Sequence, residues 1–274
     1  MTRIVHIFSL LALVVLPACG TTFSLPEIDD QSDAQAKSMF ADAQTKGDRR
    51  QLGDAAAEAR FQRVARRVGP VATRYCEVVM ADREGFNCNA RVEIDREMES
   101  RNAYFTYEGN QPTVRLSLPL VKDTVNDDEV AFVLAHEYGH LIGRHIEKSQ
   151  QQAAVGALIL GGLAAYANAA NVSAGGTHDQ SLIDNSTNLG YALGQRSFSQ
   201  EYELESDTLS THITADAGYD PALGARYFAR PEDARGTDGR LSFWGTHPPD
   251  ERRIATVLAE KKRIESGLGL TINK

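Results

Sequence analysis

The stretch Ala135-His136-Glu137-Tyr138-Gly139-His140 carries the most specific chemical pattern in the chain. It follows Asn126-Asp127-Asp128-Glu129, where an asparagine and a glutamate three residues later have the spacing of a helix N-terminus. Apolar residues then recur at helical spacing, at Val130, Val133, Leu134 and Leu141. The pattern predicts a partly buried helix that carries the motif.

The two histidines of this motif are one helical turn apart. His136 and His140 therefore point the same way, and both imidazoles can reach one tetrahedral zinc ion. Glu137 is offset along the helix, where it can take a proton from a water molecule at the metal without binding the metal. We therefore predict one zinc ion per chain with Glu137 as the general base. Two histidines on a solvated face are the alternative, but that leaves the apolar residues before them unexplained.

A zinc enzyme of this kind needs a third protein ligand, and two arrangements compete. The first is a third histidine shortly after the motif. Gly143 fits that pattern, but the histidine falls at His145, one residue before the required position. Because one residue turns a helical side chain by about 100°, His145 is rejected.

The second arrangement places a glutamate on another helix, and residues 199–207 offer three candidates. Glu203 and Asp207 are four residues apart and share a helical face, so Glu203 can bind the metal while Asp207 orients a ligand histidine. Glu201 is the main rival. It is paired by the same spacing with Glu205 on another face, where both can be solvated. We predict Glu203 as the third ligand.

The N-terminal residues have the features of a secretory leader. Arg3 precedes an uncharged run over residues 4–16, which is too short to span a bilayer comfortably. Leu16-Pro17-Ala18-Cys19 resembles a bacterial lipobox. We predict that residues 1–18 are removed, that Cys19 carries a lipid, and that residues 19–53 form a polar tether with a short helix near residues 36–43. The alternative is a plain signal peptide cut near Ala18.

The net charge, the residue after Cys19 and the remaining cysteines limit which binding partners and which cellular compartment we expect. The formal net charge of −8 argues against a nucleic-acid partner, because neutralising phosphates needs a basic surface. Gly20 after the cysteine resembles lipoproteins sent to the outer membrane, so we expect an outer-membrane lipid anchor in the periplasm of a Gram-negative bacterium. In that oxidising compartment Cys76 and Cys88 are expected to form a disulfide. Two unpaired thiols are the alternative.

Residues 54–274 are predicted to form one α+β domain. Helical spacing over residues 54–68 ends at Gly69-Pro70. Extended segments follow, at residues 78–80, 91–94, 103–107 and 114–118. After Asn126 the chain is mostly helical, and a sheet followed by helices is typical of the α+β class. We therefore expect a mostly helical domain with a small β-sheet.

Residues 149–178 contain no Asp, Glu, Lys or Arg. A transmembrane span is one interpretation, but the alanines and glycines of this segment supply little transfer energy. We therefore expect a buried or cleft-covering helix followed by a mobile loop at residues 171–176.

Several ordered motifs together resemble a known family. Beside the histidine motif and residues 199–207 they are Asn102-Ala103, Arg144-His145, Ala217-Gly218-Tyr219-Asp220-Pro221, and Thr246-His247-Pro248-Pro249 with Arg253-Ile254. They resemble the HtpX and CAAX-prenyl-endopeptidase family of zinc metalloproteases, within it the periplasmic, often lipid-anchored members that act in outer-membrane quality control. The match covers about residues 55–265. Gln200 and Ser206 depart from the family's usual arginine and alanine.

This resemblance implies a zincin-like fold and a role for His247 near the metal. His247 is expected either to donate to the oxyanion of the tetrahedral intermediate or to coordinate zinc in a resting enzyme. A purely structural histidine is the alternative. His178 and His212 are expected to be structural, and Phe243 and Trp244 to be packing residues, with cleft lining as their alternative role.

The function implied is hydrolysis of peptide bonds in unfolded or misassembled envelope proteins. An extended substrate is expected to add a strand beside residues 114–118. The partners expected are an unfolded polypeptide, a membrane reached through the lipid anchor, and an outer-membrane assembly machinery. The alternative is a periplasmic chaperone or assembly factor with a structural or latent zinc site. A zinc-storage lipoprotein would need further histidine or cysteine tracts, which the sequence lacks.

Overall fold

The computed structural model describes residues 20–45, 51–196, 199–230, 233–236 and 239–273. The predicted leader at residues 1–18 and the predicted lipid site at Cys19 lie outside these residues. The described residues divide into a larger unit, within Thr22–Gly143 and Glu203–Lys274, and a smaller one, within Arg144–Tyr202.

The described elements are, in chain order, α1 (Asp30–Thr45), α2 (Asp54–Val79), β1 (Arg91–Asp95), β2 (Ala103–Glu108), β3 (Gln111–Ser117), α3 (Leu118–Asp123), α4 (Asp127–Ile142), α5 (His145–Ser173), α6 (Gln180–Arg196), α7 (Ser199–Asp216), α8 (Pro221–Ala225), a 3₁₀ turn (Arg226–Ala229), α9 (Phe243–Thr246) and α10 (Glu251–Glu265). The predicted α+β class, mostly helical with a small sheet, is confirmed.

The three strands form one sheet in the order β1-β3-β2. β3 runs parallel to β1 and antiparallel to β2, so that Val114 is opposite both Val92 and Phe105. The prediction that residues 114–118 offer a sheet edge is therefore wrong. The apolar side chains of β3 are buried, and the strand lies in the centre of the sheet, which leaves β2 as an outer strand.

Helix α2 continues through Pro70 to Val79, so the predicted helix end at Gly69-Pro70 and the predicted strand at residues 78–80 are both wrong. The buried stripe continues on both sides of the proline, with Phe61, Val64, Val68, Val71, Ala72 and Cys76. Burial of this stripe outweighs the missing N–H of Pro70. The stripe also places Cys76 beside Cys88, with 5.6 Å between their Cα atoms, which is disulfide distance.

The segment before α2 is packed against the larger unit. Ala36, Met39 and Ala43 lie on one face of α1 and join a buried cluster that includes Ile254 and Leu258. The polar segment predicted as a tether therefore contains a packed helix, and this helix is longer than the one expected near residues 36–43.

The chain is also fixed upstream of α1. Phe23 is buried and pairs with Ile272 in an isolated bridge. Its backbone N–H donates to Oε1 of Glu205 at 2.6 Å. The expectation that Glu205 is solvated is therefore wrong, because this carboxylate is fully buried and binds the N-terminal segment.

In the smaller unit α5 and α6 pack against each other. Large apolar side chains of α5 are exposed, including Leu158 and Tyr166, which are 75% and 74% exposed. Of the two alternatives expected for this helix, the buried one is therefore wrong, because small residues rather than large ones face α6, and the cleft-covering one stays a prediction. The helix also continues to Ser173, into the segment expected to be a loop. Within the described ranges, α5 is the one helix whose length and composition would allow it to cross a membrane.

Candidate active site

Helix α4 begins where the sequence predicts. The side-chain oxygen of Asn126 accepts a hydrogen bond from the backbone N–H of Glu129 at 2.9 Å, which caps the helix. The Glu129 carboxylate accepts from the backbone N–H of Val125 and is paired with the buried Arg230, whose guanidinium also contacts Asp123. These contacts fix the first turn of α4. The rest of the helix is buried and carries the histidine motif into the interior.

Four side chains converge from three parts of the larger unit. His136 and His140 lie on α4, Glu203 lies on α7, and His247 follows α9. One donor atom from each lies within 4.8 Å of the other three. Nε2 of His136 is 3.1 Å from Nε2 of His140 and 3.2 Å from Oε2 of Glu203. The sequence-predicted set is thus brought together, with His247 as a fourth member.

Asp207 takes the position beside His136 that its spacing from Glu203 predicts. Its Oδ1 lies 3.0 Å from Nδ1 of His136. A hydrogen bond donated by Nδ1 fixes the ring and leaves Nε2 facing the cluster. Burial lowers the pKa of His136, but the hydrogen bonds to Asp207 and Glu203 and their charges outweigh burial and raise it to about 9. The two carboxylates therefore make this imidazole strongly basic.

Arg253 is a site residue that sequence reasoning did not assign. It lies on α10, is 3% exposed, and donates to both carboxylate oxygens of Asp207 at 2.8 Å. A further guanidinium nitrogen lies 3.2 Å from Oε2 of Glu203. Burial alone would raise the pKa of Glu203, but the charges of His247 and Arg253 hold it well below the ordinary value. The signal in the sequence was its place in the Arg253-Ile254 motif of the resemblance, six residues after His247, to which no role was assigned.

Glu137 is buried on the side of α4 that faces the sheet. It is 1% exposed, and its carboxylate accepts a hydrogen bond from the backbone N–H of Phe105 in β2. Oε1 makes no hydrogen bond within the described residues, although Nε2 of His247 lies 3.3 Å away. Burial raises the pKa of Glu137. A buried carboxylate with an available oxygen beside the histidines is suited to accepting a proton.

His247 is positioned by the short helix before it. Its backbone N–H donates to the carbonyl of Phe243, and Oγ1 of Thr246 donates to Oδ1 of Asn102 at 3.1 Å. Nδ1 of His247 lies 2.9 Å from Oε2 of Glu203. Phe243 and Trp244 are buried, as expected for packing residues. The His247 ring packs against Phe243, with 4.8 Å between the ring centroids.

The remaining candidates have other contacts. His212 is paired with Glu260 at 2.6 Å, and both side chains are buried. His178 hydrogen-bonds Gln180 in the smaller unit. Glu201, the rival third ligand, is exposed on the first turn of α7. Neither histidine nor this glutamate belongs to the four-residue cluster among the described residues.

A family model described as "Peptidase family M48" matches residues 58–261. The chain belongs to peptidase family M48. The zinc metalloprotease family predicted from the motifs is thereby confirmed, and the chain is a member of a metallopeptidase family.

Several relatives resemble this M48 chain over about half of its length. The mitochondrial metalloendopeptidase OMA1 of Schizosaccharomyces pombe is 30% identical over 51% of this chain and 37% of the relative. The metalloprotease LoiP of Escherichia coli is 33% identical over 49% of this chain and 50% of the relative. The beta-barrel assembly-enhancing protease of Escherichia coli is 26% identical over 56% of this chain and 31% of the relative. The chain therefore spans half or less of the length of these relatives.

M48 metalloproteases are generally zinc-dependent, and the donor set of this chain fits that metal. With zinc–nitrogen and zinc–oxygen bonds of about 2.0–2.1 Å, the donor atoms of a tetrahedral site are about 3.3 Å apart. Separations of 2.9 Å for His247 to Glu203 and 3.5 Å for His140 to Glu203 are close to this value, and all four donor atoms lie within 4.8 Å of one another. Imidazole and carboxylate donors are also the types that zinc prefers besides thiolates.

Proposed function

We propose that this M48 chain is a zinc-dependent endopeptidase that hydrolyses peptide bonds of unfolded or misassembled envelope proteins. The observation that carries the proposal is the convergence of His136, His140 and Glu203 beside a buried Glu137. A site built only to hold a metal has no need of an additional carboxylate that is not one of its ligands. Glu137 therefore favours an enzyme.

In the proposed centre His136, His140 and Glu203 hold the zinc ion. Zinc supplies a Lewis acid, which makes a water molecule acidic near neutral pH and polarises the scissile carbonyl. Asp207 keeps His136 in the orientation in which Nε2 faces the cluster. Arg253 holds Asp207 and Glu203 in place and balances their charge inside the protein.

Glu137 performs the proton transfers in this proposal. Oε1 takes the proton from the attacking water, and the protonated carboxyl then passes it to the nitrogen of the leaving amine. Burial supports this role, because it raises the pKa of Glu137 and so makes the carboxylate a better base. The hydrogen bond from Phe105 leaves Oε1 as the oxygen available for the proton.

We propose that the substrate is an extended chain that adds to the outer strand β2, which replaces the edge expected at residues 114–118. β2 pairs with β3 on one side, and the backbone of Phe105 reaches Glu137. A polypeptide lying along β2 would thus pass beside the general base. An unfolded or misassembled protein offers such a segment, whereas a compact fold does not.

His247 has two roles available in this proposal. Nδ1 faces the cluster as a fourth ligand in a resting enzyme, whereas an imidazole that moves aside can donate to the oxyanion of the tetrahedral intermediate. The His247→Ala variant separates the two roles. Faster cleavage by the variant indicates a resting ligand that restrains the enzyme. Slower cleavage indicates a donor that the reaction uses.

We propose that the protein acts in the periplasm of a Gram-negative bacterium, attached to the outer membrane through a lipid on Cys19. The leader-like sequence before Cys19 supports this location, and so does the similarity to two Escherichia coli proteases. A Cys76–Cys88 disulfide would suit that oxidising compartment. One relative is named for beta-barrel assembly, which supports an outer-membrane assembly machinery as a further partner.

The test compares wild type with Glu137→Gln on a reduced, unfolded protein at matched zinc content. We expect cleavage by wild type only, because glutamine cannot accept the proton. Equal cleavage by both proteins contradicts the assignment of Glu137. Absence of cleavage by both, with one zinc ion per chain, supports the second candidate function: a chaperone or assembly factor whose zinc is closed off by His247.

A further inference from the structure

The distribution of small and large side chains on helix α5 is the opposite of that on a helix of a water-soluble protein. Its buried positions next to α6 include the small residues Gly161 and Ala164. Its large apolar side chains point outward instead, with Leu158 75% exposed and Leu163 58% exposed. A water-soluble helix buries its large apolar residues and exposes polar ones. Small residues between helices and large apolar residues outside are typical of helices that contact lipid.

The glycines of this unit have a packing role that requires close helix approach. A Cβ atom added at Gly190 of α6 would clash with the backbone of Gly156, and one added at Gly161 would clash with Thr187. The two helices therefore lie too close for large side chains between them. The large residues of α5 are consequently directed away from α6 and remain exposed in the described part of the chain.

One continuous apolar surface of α5, the outward face of α5, consists of Leu158, Ile159, Leu163 and Tyr166. At 100° per residue they fall within about 140° of the helix circumference. From residue 154 to residue 172 the helix contains no charged residue. We propose that the outward face of α5 lies in the interfacial layer of a lipid bilayer, to a depth of about 5–10 Å.

We place α5 and α6 on the membrane rather than across it because α6 also carries polar and charged side chains on its exposed surface. α6 exposes the apolar Leu182, Leu189 and Tyr191, but it exposes Asp184, Asn185 and Asn188 as well, and moving these into hydrocarbon would be costly. Helices that expose both apolar and polar side chains match an amphipathic unit at an interface.

One observation favours a bilayer over a protein as the partner. A protein interface has a polar rim that fixes orientation, but the outward face of α5 offers only the Tyr166 hydroxyl. The lipid that the sequence predicts on Cys19 would itself hold the chain at a bilayer, so this part of the inference rests on the proposed function.

The test uses the full chain in vesicles of phosphatidylethanolamine and phosphatidylglycerol, with and without brominated acyl chains that quench tryptophan fluorescence. Leu163→Trp places a probe on the outward face, and Asn188→Trp places a matched probe on the exposed side of α6. The native Trp244 is buried and gives the same background in both proteins. Vesicle flotation reports attachment, and neither readout depends on peptide-bond hydrolysis.

We expect the Leu163→Trp probe to lose about half or more of its added fluorescence in brominated vesicles, and the Asn188→Trp probe to lose little. Ile159→Trp serves as a second outward probe if Leu163→Trp does not fold. Floating chains whose outward probes are not quenched overturn the proposal, as do chains that do not float. A blue shift of the outward probe that rises with protein concentration and not with lipid also overturns it, in favour of a second copy of the chain.

Discussion

Replacement of Arg253 by methionine is the sharpest test of how the site is held together. The guanidinium donates to both oxygens of Asp207 at 2.8 Å and lies 3.2 Å from Glu203. Arg253 and Asp207 are 3% and 1% exposed, so water cannot replace these contacts. Methionine fills a similar volume without donors or charge.

The expected loss of unfolding free energy follows from the buried charge that the substitution leaves without a partner. Removing one partner of a buried ion pair leaves a buried charge without compensation, which costs about 3–5 kcal/mol. Arg253→Lys keeps the charge but loses the planar pair of N–H donors. We therefore expect a smaller loss for lysine, about 1–3 kcal/mol.

The assay is urea unfolding followed by circular dichroism, with a chelator present so that metal binding adds nothing to stability. Arg252→Met is the matched control, because Arg252 is exposed on the same helix, and we expect it to change the free energy of unfolding by less than about 0.5 kcal/mol. Asp207→Asn completes a double-mutant cycle. The losses of unfolding free energy caused by Arg253→Met and by Asp207→Asn should not add in the double variant. Equal unfolding of Arg253→Met and Arg252→Met would refute the reasoning.

Two further predictions concern other parts of the larger unit. Contacts with Arg63 lower the pKa of Asp127, so its contribution to stability is present above the ordinary value of 3.8 and disappears as pH falls through the lower folded value. Asp127→Asn should therefore cost about 1 kcal/mol at neutral pH and nothing in strong acid, and a pH-independent difference in urea unfolding would contradict this. Glu205→Ala should release the N-terminal segment at a cost of about 1–3 kcal/mol and speed hydrogen exchange at the Phe23 amide, whereas Glu201→Ala should change neither.

The parts of the site that lie within one helix could be predicted from the sequence. His136 and His140 are one turn apart, and so are Glu203 and Asp207, so helical spacing alone determines which side chains share a face. The cap at Asn126 is equally local. These predictions needed no knowledge of how α4 and α7 pack.

The features that were missed depend on contacts between distant segments. Arg253 belongs to a motif of the family resemblance, but its role could not be assigned, because only the packing of α10 brings it to Asp207. Glu205 reads as a solvated partner of Glu201 until the chain at Phe23 covers it. Pairing on both sides of Val114 likewise follows from the strand order, which the alternation of residues within a strand does not specify.

The most direct measurement of the proposed metal centre is zinc content, determined by elemental analysis after dialysis against a weak chelator. Wild type and Glu201→Gln are expected to keep one zinc ion per chain, because Glu201 is exposed and lies outside the cluster. Glu203→Gln is expected to lose most of its zinc while remaining folded. Full zinc content in Glu203→Gln, or loss of zinc in Glu201→Gln, would contradict a centre formed by His136, His140, Glu203 and His247.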